Sequence, residues 1–141
     1  MIGYTMVGTS DLAKARAFYS PVFAEMGVEE VFSDAQVVSW GNPADETAPR
    51  FFACLPFDGA PAGAGNGAMT AFLVAEPARI DRLYRIAMAG GGSDEGPPGL
   101  RPHYSAGFYA AYVRDPDGNK IAFVCYDAAA GAAPSEASQS H

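Results

Sequence analysis

The sequence predicts an α+β fold made of two tandem βαβββ units, and three observations carry that prediction. A short β-prone segment followed by a helical apolar stripe occurs twice, at Ile2 to Met26 and again at Ala68 to Met88. Each stripe is followed by short apolar runs separated by turn residues. The two halves also overlay. Setting Tyr4 on Met69, an offset of 69 − 4 = 65, brings Thr5 to Thr70, Asp11 to Glu76, Tyr19 to Tyr84 and Gly27 to Gly92. The final strands need a different offset, 125 − 54 = 71, which sets Cys54 on Cys125 and RFFACL on IAFVCY.

Ile2 to Val7 reads as the first strand, and Ser10 and Asp11 are good helix N-caps. Leu12, Ala15, Phe18, Tyr19, Val22, Phe23 and Met26 then form one helical face that Gly27 ends. Pro21 removes a helix donor, so a kink or restart is expected there. Val28 to Ser33, Gln36 to Trp40 and Arg50 to Phe57 read as strands between the Asp34-Ala35 and Asn42-Pro43 turns. The segment GAPAGAGNG, Gly59 to Gly67, has linker composition. In the second unit Ala68 to Val74 is strand-like, Pro77 suits a first helical turn, and Ile80, Leu83, Tyr84, Ala87 and Met88 form the apolar stripe that Gly90-Gly91-Gly92 terminates. A Gly/Pro-rich loop is expected through Pro102. Strands over Ser105 to Arg114 and Lys120 to Tyr126 then flank Asp115-Pro116-Asp117-Gly118-Asn119, whose residues suit a type I turn. One domain over 1–127 follows, with units 1–57 and 68–127, linker 58–67 and a mobile tail over 128–141.

Nine Lys+Arg against sixteen Asp+Glu give a net charge of −7, which repels phosphate backbones and anionic lipid; nucleic acid and membrane partners are not expected. Met1 to Gly8 has no basic segment of the secretory type, so a cytoplasmic location is expected. Cys54 and Cys125 sit in apolar segments without a CxxC, as buried reduced thiols or as a redox pair. There is no G-x-G-x-x-G, Walker-type loop, G-x-S-x-G or H-E-x-x-H, and the two histidines, His103 and His141, do not make a two-histidine metal site.

The opening YTMVGTSDLAKARAFY, the GNGAMTAF strand, the GLRPHYSAGFYAAYVRDPDGNKIAFVCYD block and the tandem βαβββ order together resemble the vicinal oxygen chelate superfamily. That superfamily contains glyoxalase I, bleomycin-resistance proteins, fosfomycin-resistance enzymes and extradiol dioxygenases. The resemblance implies a curled mixed sheet around a cup, with an active site inside the cup and usually a divalent metal. The metal-ligand positions it implies fall on Tyr4, Met69, Ala122 and, through the cysteine overlay, Phe51. These side chains are not a nitrogen- or oxygen-rich ligand set, so no metal or other cofactor is expected.

With those four facing inward, alternation along the strands also turns Met6, Ala53, Ala71 and Val124 inward, and Tyr112 matches an inward position of the fosfomycin-resistance branch. They either line a ligand cavity or fill a small core. The loop carrying Arg101, His103 and Tyr104 supplies polar chemistry at the rim: Arg101 as an anion clamp or a surface residue, His103 as a proton carrier. Trp40 is core or a stacking wall. The resemblance implies a homodimer.

The expected function is a metal-free small-molecule-binding protein whose ligand sits in an apolar cup, either sequestering a small organic molecule, as bleomycin-resistance proteins do, or acting on it. The acidic surface would favour cationic drugs. The alternative is a metal-dependent glyoxalase- or dioxygenase-type enzyme whose ligands lie outside those positions, such as His103 with an Asp or Glu. A third reading is an interaction domain with its cup filled.

Overall fold

A computed structural model describes residues 1–128. Its strands fall into two mixed four-stranded sheets with one helix per unit, in the order β1 (Tyr4–Gly8), α1 (Leu12–Glu25), β2 (Glu29–Ser33), β3 (Val37–Gly41), β4 (Arg50–Cys54), then β5 (Met69–Leu73), α2 (Pro77–Ala89), β6 (Ser93–Leu100), β7 (Tyr109–Arg114) and β8 (Lys120–Cys125). The sheet orders are the same, β1-β4-β3-β2 and β5-β8-β7-β6. In each, the first strand runs parallel to the last and the remaining pairs are antiparallel. The expected tail over 128–141 lies outside the described residues, apart from the buried Ala128.

The helices begin where their sequences dictate. The Asp11 carboxylate accepts from the Lys14 backbone N–H at 3.1 Å, and Pro77 occupies the first turn of α2, where its missing donor costs nothing. Gly27 and Gly91 follow the helix ends with φ of +72° and +103°, conformations that residues with a Cβ rarely adopt. Pro21 lies within α1, which continues to Glu25 without a restart.

Two differences from the sequence reading concern the second unit. The segment expected as loop, Ser93–Leu100, is an edge strand on β7 that shifts register twice, between Asp94 and Gly96 and between Gly96 and Gly99. An edge strand pairs on one side only, so Pro97 and Pro98 are tolerated there. The residues expected to open the following strand, from Ser105, form turns instead, and β7 starts at Tyr109.

One apolar core joins the two units. Phe18, Tyr19, Val22 and Phe23 of α1 meet Val38, Trp40, Phe51 and Ala53 of the first sheet; Ile80, Leu83 and Ala87 of α2 meet Ala111, Val113, Ile121 and Phe123 of the second, all in a single cluster. Trp40 is therefore core, 1% exposed, with its indole N–H donating to the Ser20 hydroxyl at 3.2 Å. Between the helices Arg82 meets Glu25 at 3.2 Å.

The second junction is polar. Asp115 opens the β7–β8 turn and is 4% exposed. Its Oδ2 accepts from the Tyr19 hydroxyl at 2.6 Å and from Asn119 Nδ2 at 2.9 Å, and its Oδ1 accepts from the backbone N–H groups of Asp117 and Asn119 at 2.9 Å each. Asn119 Nδ2 also donates to the Gly8 carbonyl at the end of β1 at 2.9 Å. Burial first, and then the Asp115 charge, push the Tyr19 hydroxyl well above its usual pKa, so it stays protonated and donating. Tyr19→Phe leaves the other donors to Asp115 in place and should cost about 1–2 kcal/mol. Asp115→Ala leaves several buried donors without an acceptor and should cost about 3 kcal/mol or more. Urea unfolding midpoints of the two variants, compared with the parent, check this order.

Candidate functional site

The two faces of each sheet have different chemistry. In the second sheet Ile121, Phe123, Ala111 and Val113 point to the helices, while Ala110, Ala122 and Val124 form a separate cluster on the other face with Phe108 and Tyr112. This outer face floors a cavity of about 750 Å³ lined by Met69, Glu95, Gly96, Arg101, Tyr104, Ser105, Phe108, Tyr112, Lys120 and Tyr126. Its size lies within the range of small-molecule sites.

Four residues singled out from the sequence, Met69, Arg101, Tyr104 and Tyr112, are brought together in this cavity. Ala122 lies beneath them, fully buried and paired across the strands with Tyr112. His103 is exposed and outside the lining, its ring 4.2 Å from that of Tyr104. Met6 lines a separate recess of about 230 Å³ together with Met69 and Lys120. Tyr4 belongs to the first sheet, 63% exposed, edge-on to Phe52 at 5.2 Å.

Phe51 is a correction. Tyr4 pairs with Arg50 as Met69 pairs with Lys120, so the last strands correspond at 120 − 50 = 70. The cysteine overlay is one residue out, and a slip of one residue exchanges the two faces of a strand. Phe52, not Phe51, shares the outer face with Tyr4. Phe51 is 4% exposed and turns to the helices, its ring within 5.4 Å of those of Tyr19, Phe23 and Phe72. The same slip puts Ala53 in the helix-side core.

Arg101 is not free to clamp a ligand with both arms. Its Nη2 donates to the Pro97 carbonyl at 2.7 Å and its Nη1 to the Gly99 carbonyl at 2.8 Å, and its Cζ lies 5.5 Å from the Tyr112 ring centre. Gly96, with φ of +154°, gives this arrangement room: a Cβ there would stand 3.1 Å from Tyr112 Cδ2 and 3.3 Å from Arg101 Nη2. Lys120 Nζ lies 5.6 Å from the same ring centre. Glu95 is engaged by Arg114, whose Nε approaches it at 2.7 Å. Burial, and secondarily Tyr104, raise the Tyr112 pKa, with Arg101 opposing, so its hydroxyl is a proton donor at neutral pH.

Lys120, Phe108 and Tyr126 were missed by the sequence reading. Counting by twos from Ala122 and Tyr112 reaches all three, since strand alternation puts every second residue on one face. Glu95 and Gly96 had no such signal, because their segment reads as loop.

The metal-ligand positions implied by the resemblance do not fit a divalent metal. Met69 and Ala122 share the second sheet but offer a thioether and a methyl group, Tyr4 stands on the other sheet, and Phe51 is in the core. Among the described residues no group of three or more His, Cys, Asp or Glu side chains is placed to hold an ion.

The family model for the Glyoxalase/Bleomycin resistance protein/Dioxygenase superfamily matches residues 1–123. No match was found among curated proteins. Among solved structures, the chain is similar to a glyoxalase/bleomycin resistance protein from Albidiferax ferrireducens T118, with 32% identity, a TM-score of 0.78, and coverage of 89% of this chain and 98% of that one. A glyoxalase-related enzyme from Fulvimarina pelagi (22% identity, 89% and 87% coverage, TM-score 0.69) and a lactoylglutathione lyase from Agrobacterium tumefaciens (24%, 89% and 92%, 0.63) share the fold.

Phe51→Ala should cost about 3–5 kcal/mol, as for a fully packed ring, while the partly exposed Phe52→Ala should cost about 1–2 kcal/mol. Chemical unfolding of the two variants checks which residue faces the core.

Proposed function

The chain belongs to the glyoxalase/bleomycin resistance protein/dioxygenase superfamily, and from that premise we propose that it binds a small organic molecule in the cavity on the second sheet, without a metal. The observation that carries this reading is one face with two properties. It keeps an open, aromatic-walled space where a filled core would leave none, and among the described residues it presents no set of side chains suited to a divalent ion. Binding there rests on aromatic contact and on a few fixed polar groups, the usual make-up of a small-molecule site.

Thermal-shift screening of the purified protein against hydrophobic, anionic and cationic small molecules tests the reading, together with elemental analysis of the same preparation. Stabilisation by at least one class with no stoichiometric metal is the expected result. Tight one-to-one zinc binding by calorimetry would establish the metal-dependent alternative instead.

A second copy of the chain is the partner this reading includes. Outside that cavity, Tyr4, Met6 and Phe32 on the first sheet and Leu73 on the second are all 50% or more exposed. That much large apolar surface on one small protein is usually covered. No helix among the described residues is long and apolar enough to cross a membrane. Sedimentation at micromolar concentration should give a species of twice the 14.7 kDa chain mass, and a monomer alone would overturn the homodimer.

A further inference from the structure

The charge inside the cavity is opposite to that of the protein as a whole. The chain carries −7, yet the cavity lining holds Arg101 and Lys120, and its one carboxylate, Glu95, is already paired with Arg114. None of the three side-chain ion pairs among the described residues involves Lys120, and the contact the structure gives its ammonium is the Tyr112 ring at 5.6 Å. Arg101 is pinned through both Nη atoms to backbone carbonyls, so its charge is a fixed feature of the wall.

We propose that this cavity takes a planar organic anion, its carboxylate on the Lys120 ammonium and its ring against Tyr112 and the neighbouring aromatic wall. The inference rests on the small-molecule reading above and adds the ligand's charge and shape. Two cations at one cavity repel each other, and the one carboxylate of the lining is engaged by Arg114; a carboxylate on the ligand offsets them, whereas a cationic ligand adds a further like charge. Lys120 is the group able to move onto the ligand, because an ammonium on a flexible stem with no ion pair among the described residues has its donors available.

Flatness follows from the walls. The ring of Phe108 lies 5.5 Å from that of Tyr104 at 81° and 5.5 Å from that of Tyr126 at 41°. Rings so arranged meet a flat ligand by edge and by face, a geometry that favours aromatic over branched aliphatic guests. This reverses the preference for cationic drugs expected from net charge alone, because for a ligand inside the cavity the nearest charges act most strongly and salt screens the distant ones.

Calorimetric titration of the intact protein with three ligands of one shape tests the proposal: 2-naphthoate, neutral 2-naphthamide and cationic 2-naphthylmethylammonium. Naphthoate should bind about tenfold or more tighter than the amide, as a charge-assisted contact requires, and the ammonium should bind most weakly. Lys120→Met should bring naphthoate down to the level of the amide and leave the amide unchanged. Raising the salt concentration on the unmodified protein should weaken naphthoate selectively, which tests the charge even if the variant fails to fold.

Equal or tighter binding of the amide or the ammonium overturns the anion preference and leaves the small-molecule reading standing. Naphthoate binding that survives Lys120→Met without loss places the anion elsewhere and overturns the proposal. If none of the three binds while the thermal-shift panel still finds a stabilising aliphatic ligand, the planar-anion inference fails alone. If the panel is also silent, both readings fail.

Discussion

The buried carboxylate of Asp115 is the constraint on which the arrangement of this molecule rests. A negative charge only 4% exposed, in a protein already carrying −7, is tolerable when its lone pairs are filled, and here four hydrogen bonds fill them. Those bonds come from both units. Tyr19 brings the first helix, Asn119 reaches back to the end of the first strand, and the turn's own backbone closes the remainder. Satisfying this one group sets the first helix against the β7–β8 turn and fixes where β8 begins, at Lys120.

The position of Lys120 then decides the chemistry of the outer face. With β8 starting there, Lys120, Ala122 and Val124 alternate to one side and Ile121, Phe123 and Cys125 to the other. The helix side takes the larger apolar side chains and becomes the shared core. The outer side takes alanines on its central strands, and small residues leave room above the sheet that Tyr112, Phe108 and Arg101 surround without filling. A polar junction in the turn and an open cavity on the sheet are therefore parts of one arrangement.

The edge strand β6 completes the cavity by being irregular. Around its two register shifts the Pro97 and Gly99 carbonyls accept from Arg101, and the absence of a side chain at Gly96 lets the guanidinium nest beside Tyr112. Irregularity at a sheet edge next to a binding site re-aims side chains in this way.

Much of this molecule was legible in its sequence. The tandem order, the two helices with their stops, the Asp11 cap of the first and the turn at Asp115 follow from local rules: apolar spacing, N-cap chemistry, glycine after a helix and proline in a turn. The outer-face assignment of Met69, Tyr112 and Ala122 follows from strand alternation once the register is known. What the sequence could not decide was register between distant segments and pairing at an edge. An identity between two cysteines placed Phe51 on the wrong face, because a single-residue shift costs nothing in a sequence overlay and reverses everything in a sheet. A Gly/Pro-rich strand reads as loop because its pairing comes from a neighbour, not from its own residues. The separation of Tyr4 from Met69, the anchoring of Arg101 and the gathering of positive charge in an acidic chain all depend on contacts between residues far apart in sequence, and only the tertiary structure sets those.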